Sequence, residues 1–220
     1  MRKLITCLLI YLVSVSYGIC QLTEESNYPE GIYKSKEDFL KKKPSSIAKI
    51  YPEGINREEI KEDNQLIRDI FFFDVTTGKK LKKVFAVSYQ GNLYFQYGSI
   101  VAGKNRNKKD KDQTVNMLLS SAFAQVLLSG ERYLYTELEI QSGWEQGLYS
   151  NMGLVGAAAM SNMGKIKGVV WDCRNSEFNI FRHCKDLNDF LTSHAASYSI
   201  ACTDKKYDLG QLRLTMLELK

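Results

Sequence analysis

The sequence predicts an α+β fold of antiparallel β-meanders and hairpins with a few short helices, and three observations carry that prediction. First, residues 67–101 hold three apolar and aromatic runs broken by two turn signals, Thr77-Gly78-Lys79 and Gly91-Asn92, the layout of a meander. Along the middle run Phe85, Val87 and Tyr89 fall on one side of a pleat and Ala86 and Ser88 on the other, as a half-buried strand requires. Second, two later hairpins pair residues 123–128 with 132–140 across Ser129-Gly130, and 165–173 with 177–183 across Asn175-Ser176. Third, the helix signals are short and sit between or after these runs.

In chain order, residues 1–20 join a basic start (Arg2, Lys3) to an apolar run and then to small residues, which reads as a secretory signal peptide. The apolar run is shorter than the roughly 20 residues a spanning helix needs. Cleavage after Gly18 or after Cys20 satisfies the small-x-small rule, and the second is favoured. The rest, 21–220, reads as a single α+β domain with a soft division near 103–118. Tyr-Pro-Glu-Gly-Ile occurs at 28–32 and again at 51–55; a turn used twice explains it better than a duplicated unit. Ser35 with Asp38 predicts a capping box opening a short helix that Pro44 closes, with a strand over 47–51 beyond. Residues 103–113 read as a long exposed loop. Both faces of 132–140 carry large groups, so one of them must meet another layer. At 186 an Asp is expected to cap a helix in which Leu187, Phe190 and Leu191 form an i, i+3, i+4 stripe. The tail fits helix or strand periodicity, and helix is preferred.

Charge and composition exclude more than they identify. The chain carries a formal +5, and removing the signal takes away two positive charges and no negative one, leaving +3. The densest basic run, 104–111, is Asn-rich, contains Asp110 and has no aromatic among its charges. It reads as a solvated loop, so no nucleic-acid partner is expected. The small-residue run 154–160 could touch a membrane, but a turn packed on a sheet accounts for it more simply.

Candidate chemistry is sparse. Outside the signal stand Cys173, Cys184 and Cys202. In a hairpin over 173–183 the first two lie about 20 Å apart, too far to bridge, whereas Cys184 and Cys202 flank the expected helix and form the better pair. A Cys184 and His194 couple, or a zinc set of His183, Cys184, His194 and Cys202, matches no familiar spacing. No catalytic residues, metal site or cofactor are therefore expected. Glu131, Glu137, Glu139 and Asp172 are where a carboxylate pair would be sought. Tyr94, Tyr97, Tyr133, Tyr135 and Trp144 form the candidate ligand-binding aromatic patch.

Three stretches, GIYKSKEDFLKKKP, VFAVSYQGNLYFQYG and GVVWDCRNSEFNIF, together resemble a group of uncharacterised exported proteins typical of Bacteroidota. The resemblance implies a secreted, periplasmic or envelope location and assigns no catalytic residue. The expected function is that of an exported, non-enzymatic binding or envelope-associated protein of unknown partner, with a secreted hydrolase using dispersed carboxylates as the alternative.

Overall fold

The computed structural model describes residues 27–56, 68–143, 165–194, 196–197, 199–202 and 208–219. Among them ten strands join in one sheet whose paired strands all run antiparallel. They are β1 (Gly31–Tyr33), β2 (Ile50–Asn56), β3 (Arg68–Asp74), β4 (Ala86–Tyr89), β5 (Asn92–Gln96), β6 (Gln113–Thr114), β7 (Phe123–Ser129), β8 (Tyr133–Ser142), β9 (Lys165–Asp172) and β10 (Glu177–Ile180). The main path is β1-β4-β5-β7-β8-β9-β10, with β2 and β3 branching from β7 and β6 from β8. A register shift between Val126 and Leu128 divides β7: its first half pairs with β5 and β3, its second with β8. Such a bulge sharpens local twist and lets a sheet curl.

The curl closes a half-barrel around one aromatic interior. Phe85 and Phe95 from one half meet Trp171 and Phe178 from the other, and Phe39 plugs the space between them. The centroids of Phe39 and Trp171, Phe85 and Trp171, Phe95 and Phe178, and Trp171 and Phe178 lie 5.7, 5.4, 5.0 and 4.8 Å apart. On the outer face of β8 and β9, Tyr133, Tyr135 and Val170 pack under α3 (Cys184–Ser193) and α4 (Leu209–Glu218). At the other end a third cluster gathers Ile32, Phe72, Val87, Tyr94 and Phe123.

Several sequence expectations change. The first turn of the expected meander does form, since Lys80 bridges Phe73 and the Leu81 N–H donates to the Phe72 carbonyl at 2.8 Å. The chain then leaves β3 at Lys83, which adopts φ +55°. As a result β3 pairs with β2 rather than β4, while β4 joins β1 and β5. Strand β4 is covered on both faces instead of one, Ala86 facing the interior and Val87 the third cluster. The echoed pentapeptide is not a turn used twice: its second copy lies wholly in β2, where Pro52 is tolerated because, among the described residues, β2 pairs with β3 alone. Its first copy enters β1 through Gly31, with φ +141°, where a Cβ would sit 2.7 Å from Pro44 and the Ser46 carbonyl. The expected strand at 47–51 accordingly shifts to Ile50–Asn56. Residues 103–113 are not a solvated loop. Asn105 and Asp110 are buried, and backbone hydrogen bonds at 2.8 Å tie Asn105 and Asn107 to Phe178, covering the β10 edge.

Helices α1 (Lys36–Leu40) and α2 (Tyr97–Ile100) are short. The former opens on the expected capping box, Ser35 Oγ accepting from the Asp38 N–H and Asp38 Oδ2 from the Ser35 N–H, both at 3.1 Å. Helix α3 buries its predicted stripe and starts at Cys184 with His183 at the N-cap, so Asp186 caps it from the first turn, as the third-position carboxylate of a capping box. From there its carboxylate accepts from the Arg182 and His183 N–H groups at 2.9 and 3.0 Å and from the Arg182 guanidinium. Burial pushes this carboxyl up, yet the hydrogen bonds from Arg182 and the charges of Lys109 and Arg182 outweigh it and hold the group below its usual range. A depressed carboxyl contributes stability above its unfolded value of about 3.9, and that contribution is lost as pH falls through the folded one. D186N is therefore expected to lose about 1 to 2 kcal/mol at neutral pH and to show a shallower acid limb than the parent in urea titrations between about pH 5 and pH 3. Asp110, which burial holds up, acts in the opposite direction, and since the charge of Asp186 is the smallest of the contributions to that shift, D186N changes the opposition little.

Candidate functional site

The structure disperses the aromatic patch. Tyr94, Tyr97, Tyr133 and Tyr135 are all buried, and they belong to three different clusters. Only Tyr133 and Tyr135 share one, and their hydroxyls are engaged by the Met216 carbonyl and by Glu137. These four are core residues and offer no stacking platform. Trp144 and the run 154–160 lie outside the described residues.

The imidazole, thiol and carboxylate candidates are held in structural roles. Cys184 and Cys202 are linked, with Cα atoms 5.7 Å apart, so neither sulfur is a thiolate for catalysis or zinc. Burial, and then the charge of Asp172, push the Cys173 thiol up to about 11, which leaves it protonated and a weak nucleophile at neutral pH. Asp172 accepts from the Arg174 N–H and the Asn175 amide, both at 2.9 Å, fixing the β9–β10 turn. Glu137 is bound by Arg213 and Tyr135. Glu139 is buried, and Glu131 is exposed at a pocket of about 250 Å³ shared with Arg132, Tyr133, His194 and Leu219. In that pocket His194, which burial holds below its usual pKa, places Nε2 3.6 Å from Asp172 Oδ1 and Nδ1 3.1 Å from the Phe190 carbonyl. The one hydroxyl of the described lining, Tyr133, is committed to Met216. Among the described residues no group of three or more His, Cys, Asp and Glu side chains could hold a metal ion.

What the fold builds instead is an open groove of about 820 Å³ at one mouth of the half-barrel. Lys34 and Lys36 reach it from either side of the α1 cap, Lys80, Lys82 and Lys83 from the β3–β4 connection, and Lys104 from beyond α2. Its described lining holds six lysines and no acid. Among the described residues none of the six forms an ion pair. Glu37 stands close enough to Lys104 for its carboxyl to be lowered slightly by it, after the larger effects of hydrogen bonds to its own backbone and to Ser35. Like charges gathered with no ion-pair partner among the described residues raise the local potential and favour an anion.

The connection carrying three of the lysines is fixed from behind. Gln96, at the end of β5 and 3% exposed, accepts from the Val84 N–H at 3.0 Å and donates to the Leu81 carbonyl at 3.5 Å. Ser99 donates to the Val84 carbonyl at 2.7 Å. Lys80 is further held over the Phe71 ring, 3.8 Å from its centroid. The facing wall is a 3-10 turn, Met117–Leu119, capped by Asn116 and closed by Ser120. It is brought near by Gly98, whose N–H donates to the Ser120 carbonyl at 2.9 Å and where a Cβ would meet that same oxygen. The turn holds Met117 79% and Leu118 83% exposed.

Sequence reasoning weighed the basic run 104–111 and passed over Lys34, Lys36 and Lys79-Lys80-Leu81-Lys82-Lys83, because short lysine pairs are the ordinary dress of a soluble surface. The missed signal is the spacing of those pairs around one strand connection. No protein-family model, no curated protein and no solved structure matches this chain, and among the described residues no helix is long and apolar enough to cross a membrane.

Proposed function

We propose that the chain is an exported, non-catalytic binding protein that takes an anionic ligand into the lysine groove. The groove carries this reading: six cationic side chains from separate parts of the sequence converge on one cavity with no acid in its described lining. Its volume falls in the range of ligand sites, about 300 to 1,000 Å³. The signal-peptide pattern of residues 1–20 and the resemblance to exported Bacteroidota proteins support a secreted, periplasmic or envelope location. A clamped backbone under Lys82 and Lys83 suits a preorganised receptor, in which little ordering entropy is lost on binding.

The test is titration of the mature chain with labelled dextran sulfate, a tail-free polyanion, followed by polarisation at several salt concentrations. K80Q/K82Q/K83Q is expected to bind at least about tenfold more weakly with a shallower salt dependence. A control that removes as much charge from exposed lysines off the groove, K108Q/K111Q/K185Q, is expected to bind like the parent. Equal loss in both variants would mean that net charge, and no site, attracts the anion.

A further inference from the structure

The geometry points to the surface of an anionic lipid bilayer as the groove's ligand, with the lysines on headgroup phosphates and Met117 and Leu118 entering the acyl boundary. This inference rests on the groove reading above and names what presents the anion.

Two features of the site separate a bilayer from a soluble anion. A receptor for a small polar anion has no use for two adjacent large apolar side chains at 79% and 83% exposure set on the rim of a lysine cluster; it is their adjacency to the cations, more than exposure alone, that suits an apolar contact rimmed by charge. They are not a product of disorder, since Asn116 Oδ1 accepts from the Leu118 N–H at 3.0 Å and Ser120 Oγ donates to the Met117 carbonyl at 2.8 Å. A carrier for a single lipid would turn its apolar lining inward around a tail. Here Phe85 on the inner side is 2% exposed and already packed against Phe95 and Trp171, leaving no tail slot there. The apolar pair points outward, beside the cations. That arrangement fits a flat interface with phosphates at one depth and hydrocarbon just below it.

The two contacts also complement each other in range. Lysines act over a Debye length, about 10 Å at moderate salt, and concentrate the protein at a negative surface. Met117 and Leu118 act on contact and slow its departure. Neither alone gives firm attachment, as with single lipid anchors, and the combination does. Long flexible lysine stems let the six charges adapt to mobile headgroups.

The experiment is vesicle flotation with the mature, oxidised chain, comparing pure phosphatidylcholine with phosphatidylcholine containing about one third phosphatidylglycerol. Binding is expected on the anionic vesicles alone, and it should fall steeply with salt. K80Q/K82Q/K83Q is expected to lose on the order of a hundredfold in partition coefficient, since each lysine near such a surface is worth about fivefold. M117S/L118S, a change at exposed positions whose folding is checked by circular dichroism and thermal melting, is expected to lose at least about tenfold with its salt dependence unchanged. If M117S/L118S floats as the parent does, or if dextran sulfate binds the parent while anionic vesicles do not, the bilayer proposal falls and the anion groove stands. If the parent binds neither vesicles nor dextran sulfate, both readings fall together.

Discussion

Replacing Trp171 with alanine is expected to cost about 4 kcal/mol of folding stability, the range for a fully buried large aromatic. Trp171 is 1% exposed and sits where the two halves of the half-barrel meet. Its ring lies 5.4 Å from Phe85, 5.7 Å from Phe39 and 4.8 Å from Phe178, so truncation removes packing from the entry to β4, from β10 and from α1 together. Collapse into the void is opposed because these partners are pinned by other contacts, among them the capping box behind Phe39 and the Phe178 hydrogen bonds to Asn105 and Asn107. With total stability of order 5 to 15 kcal/mol, such a loss should bring the urea midpoint down by about a quarter or more. The loss should appear in far-ultraviolet circular dichroism with an unchanged slope. A cost under about 1 kcal/mol would mean that the curled sheet does not close around this indole.

Much of the sheet was legible because its strongest signals are local. The hairpin signalled at Gly91-Asn92 does form, its two turn residues being Gln90 and Gly91, with Asn92 already in β5 and paired with Tyr89, and Asn175-Ser176 lies in the turn from β9 to β10, since two or three turn residues decide a hairpin without help from the rest of the chain. What periodicity could not supply is which strand lies beside a given one when the intervening turn does not settle it. The turn at 77–79 was read correctly, but β3 had a longer partner in β2, with seven residue pairs, and tertiary competition overrode the local choice. Alternation also misread β4: Ser88 and Ala86 look solvent-facing in sequence, yet Ser88 is 1% exposed and donates to the Tyr28 carbonyl at 2.9 Å. A small residue fits under a covering layer as readily as it faces water.

The site was less legible than the fold, and for a physical reason. Residue type picks out the aromatic ligand candidates, but type does not encode which side of a curled sheet they face. Tyr133 and Tyr135 went to the helix-covered face and Tyr97 to the interior. The lysines of the groove come from 34–36, 80–83 and 104 and meet only because β1, β4 and β5 are neighbours in the sheet. A reading along the chain sees a pair, a triplet and a single lysine, each unremarkable; the strand order turns them into one field.

Arg213→Ala is expected to destabilise the chain by about 4 kcal/mol, because it strands a charge in the layer between β8 and α4. The Glu137 side chain is 2% exposed there. It receives the Arg213 Nε–H at 2.7 Å, a second bond from Arg213 Nη2, and the Tyr135 hydroxyl at 2.6 Å. Two of its three donors come from one guanidinium in the bidentate geometry that suits a carboxylate. Without Arg213 the buried carboxylate keeps only the Tyr135 hydroxyl, and an anion left in a low-dielectric layer with one donor carries most of its desolvation cost uncompensated. The double replacement E137M/R213M removes both charges and fills similar volume, and it should recover most of the loss, since an apolar pair in place of a buried ion pair is often neutral or stabilising. Urea unfolding of parent, R213A and E137M/R213M at neutral pH decides it. An R213A cost that is small would show that water reaches Glu137 and that α4 is held to the sheet by its apolar contacts, Leu212 and Met216 foremost.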